Sequence, residues 1–283
     1  MSEATADRPT ADRPTASESG GDDVRGRGPR MEQSPRTEQS LADVIVVACA
    51  EAWRGDGEIF ASGMGTMPML GARLARSTFE PDLLISDGEA FFVGNELPIG
   101  STDKLIEGWI PFRSVFDTVW GGRRHVMMGA SQIDRHGNTN IANIGPWAQP
   151  KAQLLGVRGG PGNTINHATS FWIPGHTPKV FTERVDMVSG IGYDRAAQLG
   201  AWVVANHDLR RVITNLAVLD FVGGTMRLVS THPGVSVDDV RTATGFDLLV
   251  GDDVTVSRGP TGDESAALER LDPRGLRHRE VPS

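Results

Sequence analysis

Apolar positions fall into a periodic pattern only from Leu41 onward. Leu41-Ala-Asp-Val-Ile-Val-Val-Ala-Cys-Ala-Glu-Ala-Trp53 reads as a largely buried helix stopped at Gly55-Asp56-Gly57. Glu58–Ser62 is a short apolar strand, Gly63-Met64-Gly65-Thr66 a tight turn, and Pro68 fits the first turn of a helix running to about Arg76. With the apolar strand Asp82–Ser86, residues 58–86 make a βαβ unit, which requires a parallel sheet. Further along, the pattern predicts a helix at 111–120, a strand at 125–129, and a hairpin at 133–141 around Gly137-Asn138. It predicts strands at 180–182, 186–188, 212–214, 216–221 and 226–230, and a helix at Val237–Ala243 capped by Ser236. Strands alternating with helices predict one α/β domain over residues 39–283, with an open, mainly parallel sheet flanked by helices.

Residues 1–38 are of another kind. They carry the direct repeat Ala6-Asp7-Arg8-Pro9-Thr10 and Ala11-Asp12-Arg13-Pro14-Thr15, then Ser, Gly, Arg and acidic residues without aromatic anchors. Such a segment buries too little apolar surface to offset chain entropy and is expected to be a disordered extension.

Composition narrows the classes. The net charge of −8 argues against a nucleic-acid binder held by phosphate contacts, and all but three of the 28 basic residues are scattered arginines. The single cysteine, Cys49, excludes a disulfide scaffold and suits a reducing compartment. No apolar run has the length of a membrane span and no charged leader precedes an apolar segment, so a cytoplasmic protein is expected. The histidines lack metal-ligand spacing, so no metal is expected. There is no P-loop, no complete Gly-x-Gly-x-x-Gly fingerprint and no Gly-x-Ser-x-Gly elbow.

Three glycine-bearing loops remain, expected at the ends of strands, where open α/β sheets bind ligands. In Gly63-Met-Gly65-Thr-Met-Pro68 the glycines either let a ligand reach the helix N-terminus or supply positive φ to a turn. In Ser86-Asp87-Gly88-Glu89 the two carboxylates suit base or nucleophile work, or simply cap a turn. Gly156-Val-Arg158-Gly159-Gly160-Pro-Gly-Asn163-Thr-Ile-Asn-His167 is the most informative stretch: the N–H groups of Gly159 and Gly160 form a candidate oxyanion hole, Arg158 a candidate anion clamp, and Asn163 and His167 nearby donors.

In order along the chain these segments resemble the β chains of class I coenzyme A transferases. The likeness rests on Gly63-Met-Gly65-Thr-Met-Pro68, Leu83–Gly88, Gly129–Asn138, the Gly156–Gly160 loop, Thr214-Asn215-Leu-Ala217-Val218-Leu-Asp220, and Pro233–Val240 with Thr244-Gly245-Phe246. It implies the NagB/RpiA-like fold of that family. One departure stands out: the family's nucleophilic glutamate is replaced by Asp87, one methylene shorter, with Glu89 two positions away. An attack that needs reacting atoms about 3–3.5 Å apart tolerates such a shortening poorly.

Ser86–Ala90, Ile106-Glu-Gly-Trp109-x-Pro111-Phe112, Gly121-x-Arg123-Arg124-His125-Val126, Gly162–Ser170 and Val188–Asp194 resemble more closely the β chains of the ring-cleaving hydrolases of steroid catabolism, a branch of the same superfamily. That resemblance implies an α2β2 enzyme whose α chain supplies the catalytic glutamate. It implies hydrolytic opening of a carbon ring in a steroid-derived CoA thioester, with coenzyme A entering as part of the substrate and no bound cofactor. On this reading Arg158, Gly159 and Gly160 meet the developing enolate, and Asn163 and His167 shape the pocket. Asp87 and Glu89 orient water or hold the loop, Gly63 and Gly65 admit CoA, and Phe91, Phe92, Trp109 and Phe112 line either a ring pocket or the core. The competing expectation is a 3-oxoacid CoA-transferase in which Asp87 or Glu89 forms the thioester.

Overall fold

In the computed structural model residues 39–281 are described, apart from 89, 112, 115–116 and 118–120. The 1–38 extension, Glu89, Phe112 and most of the helix expected at 111–120 therefore lie outside the described residues.

Helix α1 (Leu41–Glu51) begins with a reciprocal capping box between Ser40 and Asp43, buries seven of its residues, and gives way to glycines at positive φ, Gly55 and Gly57. Strand β1 (Phe60–Gly63), helix α2 (Thr66–Thr78) and strand β2 (Leu84–Ile85) realise the expected βαβ unit. Strands β3 (Phe91–Val93) and β4 (Ile106–Trp109) pair as an antiparallel hairpin beside it. Strand β5 (Arg124–Met128) follows, then two small hairpins, β6 (Gln132–Ile133) with β7 (Thr139–Asn140) and β8 (Asn143–Ile144) with β9 (Ala152–Gln153). The chain continues through α3 (Gly160–Asn166), β10 (Ala168–Ile173), α4 (Tyr193–Gln198), α5 (Ala201–Asn206), β11 (Asp208–Thr214), β12 (Ala217–Val222) and β13 (Thr225–Thr231). It ends with α6 (Val237–Ala243), β14 (Leu249–Val256) and α7 (Gly262–Leu271).

The main sheet has the order β14-β13-β12-β11-β10-β5-β1-β2. All neighbours are parallel except the pairs made by β12, which joins β11 and β13 through tight antiparallel connections. One face packs on α1, α2 and α7, with Trp53, Leu70, Leu74 and Met127 fully buried. The other packs Phe171, Val212, Leu219 and Met226 under Ile133, Phe181 and Phe246, which come from hairpin and loop segments. The segments expected to be strands at 180–182 and 186–188 belong to this irregular cover and contribute a single bridge, Ile133 to Phe181. The central strand β10 is not among the expected strands, because Ala-Thr-Ser-Phe-Trp-Ile is buried on both faces and shows no alternation.

Gly63 has a packing role. A Cβ there would lie 2.5 Å from the Pro68 carbonyl oxygen and 2.7 Å from the Met69 nitrogen, so the first turn of α2 rests directly on it. Gly63→Ala is expected to destabilise the chain by about 1–3 kcal/mol, read as a fall in the midpoint of denaturant unfolding.

Candidate active site

Strands β2, β1, β5 and β10 are parallel and end in register, with Ala61 opposite Ile85, Gly63 opposite Met127 and Met128 opposite Phe171. The loops that leave them, including 64–65 and 86–88, therefore share one edge of the sheet. Asn163 of α3 reaches Met128 Sδ at 3.6 Å, which brings the start of α3 to the same edge. Ligands of open parallel sheets bind outside these carboxyl ends.

Arg158 is the most exceptional residue there. It is the sole non-glycine residue at positive φ among the described residues, at 48°, and is solvent-exposed. A left-handed backbone costs a side-chain-bearing residue on the order of 1 kcal/mol, and such strain concentrates at functional sites. No carboxylate pairs with its guanidinium among the described residues. The neighbouring Gly159 is exposed, caps α3, and its N–H meets no acceptor among the described residues.

The other expected donors are arranged differently. Gly160 N–H donates to the Val157 carbonyl at 3.0 Å, and a Cβ on Gly160 would lie 2.8 Å from Ser189 O, so this glycine allows close packing and its N–H is not a free oxyanion donor. The run expected to be a single glycine loop turns into helix from Gly160. Asn163 is 2% exposed: its Oδ1 accepts from Arg124 at 3.1 Å and its Nδ2 faces Met128. His167 is likewise buried, where α3 hands over to β10. Both belong to the frame behind the edge and do not face solvent. Gly65, at φ 101° and with only an ordinary contact to Pro68 Cδ at 3.9 Å from its Cβ position, starts α2, so the two glycines of the first turn serve different needs.

Asp87, which the resemblance puts at the position of the transferase nucleophile, is a loop fastener. Its side chain is fully buried; Oδ1 accepts from the N–H groups of Ala90 and Phe91 at 3.0 and 3.1 Å, and Oδ2 takes an ion pair from Lys104 at 2.7 Å. A carboxylate so buried and so held is not presented to an acyl group for attack. Phe92 stacks edge-on against Phe60 with ring centroids 5.2 Å apart, whereas Trp109, paired with Phe91 across the hairpin, is 71% exposed. The aromatics thus divide between core and surface.

Arg124 was not legible as a site residue. It opens β5 on the face that carries Val126 and Met128, is 5% exposed, and donates to Ser62 Oγ at 3.0 Å besides Asn163. Its Nε has no partner among the described residues, and burial brings its pKa down to about 10, so it stays charged at neutral pH. A positive residue in phase with core positions is the signal that marks it in the sequence.

Other motif residues are scaffolding. Gln132 bridges Asn140 and Asp186, and Asp134 gathers the backbone of His136 and both donors of Asn138. His176 joins Thr214 to Thr244 at 3.1 and 3.0 Å while stacking on Phe181, so Thr214-Asn215 and Thr244-Gly245-Phe246 meet around one buried imidazole. Ser170, His125 and Asp56 stand in relay order at 2.9 and 2.6 Å. Ser170 is sealed inside β10, however, and has no access to substrate. Burial holds His125 below the ordinary imidazole value, and its Nδ1 lies 2.6 Å from Asp56, whose carboxyl His125 and Arg210 hold below the usual carboxylate range.

Among the described residues no cluster of three or more His, Cys, Asp or Glu could hold a metal ion, and no helix is long and apolar enough to cross a membrane.

Residues 47–243 match the coenzyme A transferase family. The chain is 52% identical over 248 residues to the cholesterol ring-cleaving hydrolase IpdB subunit of Rhodococcus jostii (strain RHA1), covering 87% of this chain and 97% of that one. It is 50% identical to the subunit of the same name from Mycobacterium tuberculosis (strain ATCC 25618 / H37Rv), covering 86% and 98%. The crystal structure of Rhodococcus jostii RHA1 IpdAB superposes with a TM-score of 0.83 at 51% identity, covering 87% of this chain and all of that chain. Glutaconate coenzyme A-transferase from Acidaminococcus fermentans shares the fold, with a TM-score of 0.72 at 20% identity over 84% of this chain and 96% of that one. With its parallel sheet, its strand-end loops and this degree of identity, the chain belongs to the coenzyme A transferase family and is similar to the cholesterol ring-cleaving hydrolase IpdB subunits.

Proposed function

We propose that this chain is the β subunit of a heteromeric α2β2 hydrolase that opens a carbon ring of a steroid-derived CoA thioester. The observation that carries this reading over CoA transfer is Asp87, buried and bound by two N–H groups and Lys104 where a transferase needs a free nucleophile. Identity of 50–52% with IpdB subunits, against 28% with the corresponding chain of a 3-oxoadipate CoA-transferase, supports the same choice.

The reaction is a hydrolytic retro-Claisen cleavage. A carboxylate of the α chain takes a proton from water, the hydroxide adds to the ring ketone, and the C–C bond next to it breaks. That ketone carbon becomes a carboxylate, and the bond electrons pass to the carbon α to the thioester as an enolate, which is then protonated. Arg158 and the N–H of Gly159 provide donors for the negative oxygen from this chain, held in advance by a strained turn. Leu155 and Trp147, 69% and 66% exposed on the segments leading to Arg158, offer apolar surface for the α chain to cover.

The test is co-expression with an α partner carrying its own active-site glutamate, and assay on a bicyclic steroid-derived CoA thioester. Ring opening without CoA exchange is expected. Borohydride trapping during turnover should label no thioester on this chain; a labelled Asp87 or Glu89 overturns the reading in favour of CoA transfer. Asp87→Asn should retain turnover in the assembled enzyme, with a loss of loop stability as its main effect, whereas a transferase would lose activity altogether.

A further inference from the structure

We propose that Arg124 is a positioning residue of this reaction, an uncompensated buried charge that fixes the Arg158 turn and biases the site toward anionic oxygen. The proposal rests on the hydrolase reading for its assay, but its structural argument is independent of it.

A guanidinium taken out of water is costly unless a carboxylate faces it. Arg277 observes that rule, lying among Asp43, Glu269 and Asp272. Arg73, also buried, donates to the Leu97 carbonyl and feels the negative charge of Asp87. Arg124 has two neutral acceptors, Asn163 Oδ1 and Ser62 Oγ, and an orphaned Nε, with the Phe60 ring 5.9 Å away. It occupies a core-facing position of a central strand, where an apolar residue would stabilise the fold at no electrostatic cost.

What the arginine touches explains its retention in physical terms. Ser62 immediately precedes Gly63, the last residue of β1. Asn163 carries its side-chain amide to Arg124 and its own backbone N–H to the Gly159 carbonyl at 2.9 Å, and Gly159 follows the strained Arg158. Met128 Sδ accepts from Asn163 Nδ2, which fixes the amide with its oxygen toward the arginine. One guanidinium therefore ties the first site loop to the third. Because no carboxylate among the described residues neutralises it, its charge acts through a low-dielectric wall on the edge where negative oxygen develops.

Three variants in the assembled α/β enzyme separate this role from mere packing. Arg124→Met removes both tether and charge, Arg124→Lys keeps the charge and loses the fork, and Asn163→Asp keeps the tether while pairing the charge with a new carboxylate. Arg124→Met and Asn163→Asp should each lower kcat by about 10–100-fold with a smaller change in KM. They should also move the acidic limb of the pH–kcat/KM profile upward by about one unit, because a nearby positive charge no longer favours the ionised base. Arg124→Lys should leave that limb in place and recover part of kcat. Wild-type kcat and an unmoved limb in Asn163→Asp would overturn the proposal. If Arg124→Met fails to fold, Asn163→Asp, whose new ion pair keeps the packing, and Arg124→Lys still decide it. An inactive wild-type complex would instead refute the hydrolase reading and be recognised as such before any variant is compared.

Discussion

Replacing Arg158 by alanine in the assembled enzyme is expected to lower turnover by about 10²–10³-fold while leaving the fold intact, the scale seen when one preorganised oxyanion donor is removed. The fold is indifferent because the side chain is exposed and no carboxylate among the described residues pairs with it. Its backbone at φ 48° adds a sharper expectation. Glycine occupies that region freely, so Arg158→Gly should raise stability by about 1 kcal/mol while lowering turnover as far as alanine does. Opposite movement of the two quantities, measured by denaturant unfolding of this chain and by turnover of the complex, is the signature of strain retained for function. Unchanged turnover in both variants would remove Arg158 from the reaction and leave a subunit that only completes the assembly.

Acid is expected to unfold this chain from pH 6.5 downward, earlier than carboxylate titration would. His125, His176, His207 and His232 are all held below the ordinary imidazole value, in each case chiefly because burial disfavours the charged ring. His176, between two threonine hydroxyls and against the Phe181 ring, is pushed down to about 3. These histidines take up a proton less readily in the native state than unfolded, where the ring titrates at about 6.5, so below that pH the unfolded state binds more protons and stability falls with pH. For His176 alone, moving from pH 8 to pH 5 should remove about 2 kcal/mol, since the native ring stays neutral across that window. Asp43, Asp56 and Glu264 act later. Burial opposes their ionisation, but arginine and hydroxyl or imidazole partners win and hold them below the usual carboxylate range, so what they contribute is lost only as pH falls through and below 4. Urea unfolding at pH 8, 6.5 and 5 checks the window. His176→Gln should be less stable than wild type at pH 8 yet lose about 2 kcal/mol less on acidification; an identical slope in the two proteins would show that this ring does not carry the effect.

Local rules settled much of this protein from its sequence. The buried helix from Leu41, the glycine stop after it, the βαβ unit through Ile85 and the capped helix at Val237 depend on spacing within a dozen residues, and each stands where the pattern puts it. An aspartate, Asp87, where the resemblance expects a glutamate was also visible in one dimension, as was the Arg158-glycine run. Tertiary packing decided the rest. It buried β10 on both faces and so removed the alternation that would have revealed it. It turned the glycines from Gly160 onward into the start of a helix pressed on Ser189, and it converted Asn163 from a pocket donor into the acceptor for Arg124. It also clamped Asp87 with Lys104, seventeen residues away along the chain. Sequence spacing determines which residues stand at a strand end. Whether such a residue faces ligand or core depends on which distant side chain takes its hydrogen bonds, and only the folded sheet brings those partners together.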